Sequence, residues 1–133
     1  MARKISKARA AAIKHGYRSG FERKVADQLK ERKTKFEYET TVIDYIKPET
    51  HHKYTVDFTL PNGILIETKG RWVLEDRKKH MLIKQQHPEL DIRIVFQNPR
   101  GKIRKGSKTT YADYCDKHDI IWAEKEIPAE WLK

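Results

Sequence analysis

An α/β fold, with a mixed β-sheet flanked by helices, follows from two patterns in this sequence of 133 residues. Residues 56–70, VDFTLPNGILIETKG, hold two runs of alternating apolar residues joined by Pro-Asn-Gly, the pattern of a half-buried hairpin. Residues 74–86 then read as a helix, and Ile92, Ile94 and Phe96 alternate as a strand. Strand, helix and strand at this spacing predict a βαβ crossover. A parallel pair beside a hairpin makes the sheet mixed.

The other elements follow along the chain. Ser19 opens a helix with Phe21, Val25 and Leu29 on one stripe at a spacing of four. Residues 36–46, FEYETTVIDYI, alternate and predict one long strand, and residues 47–53, KPETHHK, a loop or bridge containing Pro48. The helix over 74–86 turns Leu74, Met81 and Leu82 inward and stops at His87-Pro88, because the residue before proline disfavours the helical conformation. Residues 98–108, NPRGKIRKGSK, predict a loop; 111–118 a short helix; 120–123 a last short strand. No repeat or low-complexity tract interrupts the pattern, and the length suits one domain.

The chain carries 29 Lys and Arg against 19 Asp and Glu, a net charge of +10, which points to a polyanionic partner such as nucleic acid. Arg3, Lys4, Lys7, Arg9, Lys14 and Arg18 meet no acidic residue before position 20, so residues 1–17 read as a basic arm. Arg100, Lys102, Arg104, Lys105 and Lys108 make the 98–108 loop a second basic segment. Both are candidate DNA contacts. A single cysteine, Cys115, excludes an intrachain disulfide and fits a reducing compartment. The N-terminus has no apolar core of a secretory signal, and no apolar run approaches the ~20 residues that span a bilayer. Six histidines form no closed ligand set, and Cys115-x-x-His118 is half of a zinc site. There is no Gly-rich phosphate loop and no nucleophilic serine or cysteine with an evident base.

The turn decides where the hairpin's charges lie. A two-residue Asn-Gly loop would put Asp57 and Glu67 on opposite faces. Pro, however, suits the first central position of a type I turn, Asn the second, and Gly the left-handed position after it. That three-residue loop pairs Leu60 with Ile64 and therefore Asp57 with Glu67, with Lys69 on the same face. Tyr54, Val56, Phe58, Leu60, Ile64 and Ile66 then form the core side. Opposed carboxylates repel unless something neutralises them. Lys69 can do so within a solvated charge cluster, or both carboxylates can hold a divalent cation with Lys69 aiding a phosphodiester hydrolysis. Glu22 has two readings as well. Ser19-x-x-Glu22 fits a capping box, and Glu22 also fits a metal ligand.

Asp57…Glu67-x-Lys69 resembles the signature of the restriction-endonuclease-like nuclease superfamily. The ordered segments RSGFERKV, KFEYE, PNGILIETKG, DRKKHMLIKQQHPELDIRIVF and IPAEWLK resemble the phage endonuclease I family of Holliday-junction resolvases, from Arg18 to Lys133. The resemblance implies that Glu22, Asp57, Glu67 and Lys69 are catalytic. It implies that Glu22, Asp57, Glu67 and the Thr68 carbonyl hold two Mg²⁺ ions, with Mn²⁺ able to substitute. It implies a restriction-endonuclease-like fold and a homodimer with exchanged segments, residues 41–50 bridging two nuclease domains of residues 18–133. Val56 stands where the signature has proline, a change of strand geometry that removes no ligand. The expected activity is Mg²⁺-dependent cleavage of branched DNA, in the cytoplasm of a host cell if the chain is phage-encoded. Its rivals are a duplex-cutting nuclease of the same fold and a DNA-binding module without chemistry.

Overall fold

The computed structural model describes residues 16–47 and 50–133. The arm residues Arg3, Lys4, Lys7, Arg9 and Lys14, and Pro48, lie outside them.

Helix α1 spans Gly20–Glu31, with the Ser19 side chain accepting from the Glu22 N–H at 3.0 Å. Its stripe of Val25, Ala26 and Leu29 is fully buried, and Phe21 packs partly against the same cluster. The expected single strand over 36–46 is instead two strands in two sheets, β1 (Glu37–Tyr38) and β2 (Val42–Lys47). Glu39 makes the break, with a left-handed φ of 52° and its N–H on the Asp57 carbonyl at 3.1 Å. Alternation runs on through the break, so periodicity could not mark it. The segment read as a loop at 47–53 is largely strand: β3 (Thr50–Thr55) pairs with β2 from Val42↔Thr55 to Lys47↔Thr50. His51 and Lys53 are exposed, so this outer ribbon needs no apolar alternation.

Strands β4 (Phe58–Thr59) and β5 (Leu65–Lys69) form the expected hairpin in the expected register, with Phe58↔Ile66 and Thr59↔Leu65. The Leu60 N–H reaches the Ile64 carbonyl at 2.9 Å, and Gly63 takes a φ of 90°. Asn62 ties the turn to the chain end by donating to the Trp131 carbonyl at 2.7 Å. Helix α2 (Leu74–Gln86) then crosses to β6 (Ile92–Phe96), parallel to β5. Helix α3 (Tyr111–Lys117) leads to β7 (Trp122–Glu124), parallel to β6, and a 3₁₀ turn covers Ala129–Leu132. The last strand starts at Trp122 because the chain before it turns through left-handed Asp119, and the Ile120 N–H goes to the Cys115 carbonyl at 2.9 Å.

The five-stranded sheet has the order β1-β4-β5-β6-β7. One face carries Phe58, Ile66 and Val95 against α1, Ile127 and Trp131. The other carries Leu65 with the ribbon and Ile83, and Ile94 and Phe96 with Trp72 and Cys115. Gln28 joins α1 to the C-terminal segment through a reciprocal pair with Ile127, both bonds 2.9 Å.

Two expected faces change. Helix α2 buries Arg77, His80 and Ile83, while Leu74 is 52% exposed and Met81 and Leu82 are half-buried. Arg77 is accommodated by the Trp72 carbonyl at 2.5 Å and the Tyr114 ring at 5.8 Å, and His80 by the edge of Trp72. Polar residues with such partners escape a hydropathy reading. Tyr54 is not on the core side with Phe58, because its hydroxyl meets Glu67. Val56 is buried, but with Leu65, Ile43 and Tyr45 on the opposite face from Phe58.

Gly63→Val should cost about 1–2 kcal/mol, the penalty of a left-handed β-branched residue. Beyond the adjacent residues no atom lies within 4 Å of a Cβ built there, so the cost is one of backbone strain rather than of a Cβ clash. Urea unfolding should show a lower midpoint with an unchanged slope, and an unchanged midpoint would remove the turn from the hairpin's stability.

Candidate active site

The first turn of α1, the end of β3, the approach to β4, the end of β5 and helix α2 meet in one cleft of about 700 Å³. Glu22, Asp57, Glu67, Thr68 and Lys69 all line it, with Arg18, Lys24, Arg71 and Lys79 around them. The hairpin register builds its floor. The Asp57 N–H donates to Glu67 Oε1 at 3.1 Å, and Asp57 Oδ2 accepts from the Thr68 N–H and hydroxyl, both at 2.9 Å. Glu67 Oε2 accepts from the Tyr54 hydroxyl. Glu67 is 2% exposed and Glu22 is 6% exposed.

Glu22 does not complete the capping box. Its Oε1 accepts from the Tyr38 hydroxyl at 3.1 Å, and that oxygen in turn accepts from the Arg18 N–H at 3.0 Å. A residue that the sequence reading missed, Glu39, stands at the rim, on the bend after β1. Carboxylate oxygens of Glu22, Glu39 and Asp57 lie within 4.8 Å of one another, and Glu67 stands behind Asp57. Arg18 Nη1 lies 3.4 Å from Glu39, and Lys69 Nζ lies 3.8 Å from Asp76. An acidic residue inside a strand-like run was the available signal for Glu39, but nothing in the sequence marked its left-handed backbone. Tyr38 and Tyr54 gave no signal beyond strand propensity.

The electrostatics suit a cation. Burial pushes Glu67 up to about 8, against the opposing pull of Lys69 and of the Asp57 N–H. Burial, then the neighbouring Asp57 charge, pushes Glu22 up to about 7. Burial also holds His80 down at about 4, so it adds no positive charge behind Lys69. Glu22 and Glu67, which resist ionisation, present together with Asp57 the oxygen donors that a hard divalent ion takes.

Of the basic candidates among the described residues, only Arg18 lines the cleft. Arg100 is held by Glu124 in a fork of two 3.1 Å bonds, and Lys102 donates to the Lys108 carbonyl at 3.3 Å. Arg104, Lys105 and Lys108 are exposed on the same loop. Lys24, Arg71 and Lys79, which the charge-run reading passed over, stand at the cleft instead.

In the metal-free protein, Glu67 and Glu22 keep protons to about 8 and about 7, well above the ordinary glutamate value of 4.5. The folded chain therefore binds more protons than the unfolded chain through this window, and their contribution to stability falls as pH rises. Glu67→Gln, which cannot titrate, should gain thermal stability relative to the parent between pH 5 and 8.5. A constant difference between the two melting curves would overturn this account.

Comparison with known proteins agrees with the geometry. The phage endonuclease I family model matches residues 1–133. The chain is 57% identical over 117 residues to Endonuclease I of Escherichia phage T7, covering 88% of this chain and 78% of the relative. It is 56% identical over 117 residues to Endodeoxyribonuclease 1 of Enterobacteria phage T3, covering 88% and 77%. A match over the whole chain, on a fold that gathers buried carboxylates and a lysine into a cation-rimmed cleft, makes this chain a member of the phage endonuclease I family and hence a nuclease.

Proposed function

We propose that this nuclease is a divalent-metal-dependent endodeoxyribonuclease that resolves four-way and other branched DNA junctions. The observation that carries the reading is the convergence of Glu22, Asp57, buried Glu67 and Lys69 in one cleft. Glu22, Asp57 and Glu67, with the Thr68 carbonyl, would hold Mg²⁺ or Mn²⁺, two ions per site, since hard cations take oxygen ligands. Such ions, when bound, neutralise phosphate charge and acidify an attacking water. Thr68 fixes Asp57 through both its N–H and its hydroxyl. The Lys69 ammonium, with one-fifth of its side chain exposed, is placed to orient water or stabilise charge building on the phosphate. Arg18, Lys24, Arg71 and Lys79 attract the phosphates on either side.

The sheet order and the carboxylates on its antiparallel hairpin support a restriction-endonuclease-like fold. A segment-exchanged homodimer completes the reading. Only residues 48 and 49 separate β2 from β3. A chain that ran straight on there would offer the same ladder to a second copy, residues 42–47 of one meeting residues 50–55 of the other. The exposed Val42 and Ile46 of β2 suit such a bridge. A two-fold dimer presents two sites, as cutting two symmetry-related phosphates of a junction requires. Glu22 and Asp57 of one site would then come from different chains.

Asp57→Ala, Glu67→Ala and Lys69→Ala should each slow cleavage of a synthetic four-way junction by about 100- to 10,000-fold. Junction affinity measured in Ca²⁺ should fall little, because basic residues supply most of the binding. Affinity that falls in step with cleavage would mean that these residues are structural, and equal cutting of linear duplex would favour a duplex nuclease.

The exchanged site has its own test, in a co-expressed, differently tagged heterodimer of one Glu22→Ala and one Asp57→Ala chain. With sites shared between chains, one site collects both lesions and the other is intact. The hybrid should nick a cruciform-bearing plasmid that the parent linearises. No cutting at all would place both residues of each site on one chain.

A further inference from the structure

The buried carboxylates of the cleft share an unexplained feature. Glu22 and Glu67 each receive a tyrosine hydroxyl, and the two tyrosines come from different strands, Tyr38 from β1 and Tyr54 from β3. We propose that Tyr38 and Tyr54 are the positioning residues of the metal site, Tyr38 orienting Glu22 and Tyr54 orienting Glu67. The inference rests on the metal-dependent reading above.

Geometry fixes both phenols. The Tyr38 ring stands edge-on to Tyr17 with centroids 4.7 Å apart and tilted against Phe58 at 5.4 Å. Its hydroxyl accepts from the Arg18 N–H at 3.0 Å, so its proton is directed to Glu22 Oε1. Tyr54 is held by the ribbon ladder opposite Ile43, and Lys79 Nζ lies 5.4 Å from its ring centroid. Glu67 is gripped on both oxygens, by the Asp57 N–H on Oε1 and by Tyr54 on Oε2. Each carboxylate oxygen has two acceptor sites, so one donor apiece sets the plane of the group and leaves the second site for a cation.

Chemistry explains why phenols hold these positions. A lysine or arginine there would orient the carboxylate but also cancel the charge that attracts the metal. A neutral donor orients without competing. Asp57 is served in the same way by the amide and hydroxyl of Thr68, whereas Glu39, at the rim, is met by the Arg18 guanidinium. Tyr54 also makes the ribbon part of the site, because a shift of β3 would withdraw a donor from Glu67.

The test is calorimetric titration of Mn²⁺ into the metal-free protein without DNA, for the parent, Tyr38→Phe, Tyr54→Phe and a control, Tyr45→Phe. Tyr45 is equally part of the ribbon, 4% exposed, and packs against His52 rather than a carboxylate. Donors that orient metal ligands are typically worth about 10- to 100-fold in affinity. Tyr38→Phe and Tyr54→Phe should each weaken Mn²⁺ binding by about that factor, and Tyr45→Phe should leave it unchanged. Junction affinity in EDTA should not move, and the cleavage rate should recover at saturating Mn²⁺. An unchanged isotherm removes that tyrosine from the proposal, and equal weakening in Tyr45→Phe overturns it as a general packing effect. The two variants are read separately, so a folding defect in one leaves the other to decide. A parent chain that takes up no Mn²⁺ overturns the metal-dependent reading itself; a binding parent with unchanged variants overturns this inference alone.

Discussion

The pairing of Asp57 with Glu67 across the Pro-Asn-Gly hairpin is the constraint on which the rest of the site depends. Phe58↔Ile66 and Thr59↔Leu65 set the register, and one step further the Asp57 N–H turns to the Glu67 carboxylate. A strand slipped by one residue would send Glu67 into the apolar cluster around Phe58 and α1, and Ile66 into the cleft. The register is secured at both ends, by left-handed Gly63 at the turn and by the Thr68 bonds to Asp57 at the mouth. The same β5 strand pairs in parallel with β6, so the carboxylate floor is anchored in the centre of the sheet.

Around that floor the protein accepts an electrostatic cost. Carboxylates at 2% and 6% exposure resist ionisation, and among the described residues no buried cation neutralises them. Lys69 leans towards Asp76, Arg18 towards Glu39, and Lys24, Arg71 and Lys79 keep to the walls. Negative potential is thereby concentrated at the bottom of the cleft and positive potential at its rim. A divalent cation fits the first and a polyanionic backbone the second, which reconciles an acidic centre with a chain of net charge +10.

The ribbon of β2 and β3 joins these features to the crossover helix. It packs Ile43 and Tyr45 under α2 against Leu65 and Ile83, and it presents Tyr54 to Glu67. Gln86 brackets Ile46, donating to its carbonyl at 2.6 Å and accepting from its N–H at 2.7 Å. An element fastened to both the crossover helix and the buried Glu67 carboxylate would, in the proposed dimer, carry the geometry of a partner copy into the proposed metal site.

The α/β class, the crossover, the bounds of α2 and the hairpin register were legible in the sequence, because each rests on local physics. Periodicity reports burial along one element, and Pro-Asn-Gly admits few turns. Glu22, Asp57, Glu67 and Lys69 were legible as types in a pattern, though not that Glu22 would take the Tyr38 hydroxyl instead of closing the capping box. Tertiary structure decided the remainder, through partners distant in sequence. It broke residues 36–46 at Glu39 by offering the Asp57 carbonyl, and it made a strand of polar residues 50–53 by pairing them with β2. It buried Arg77 and His80 by giving them Trp72, and it aimed Tyr38 and Tyr54 at the carboxylates. A local pattern records how often a side chain meets the core; which group it meets there depends on how the chain folds back on itself.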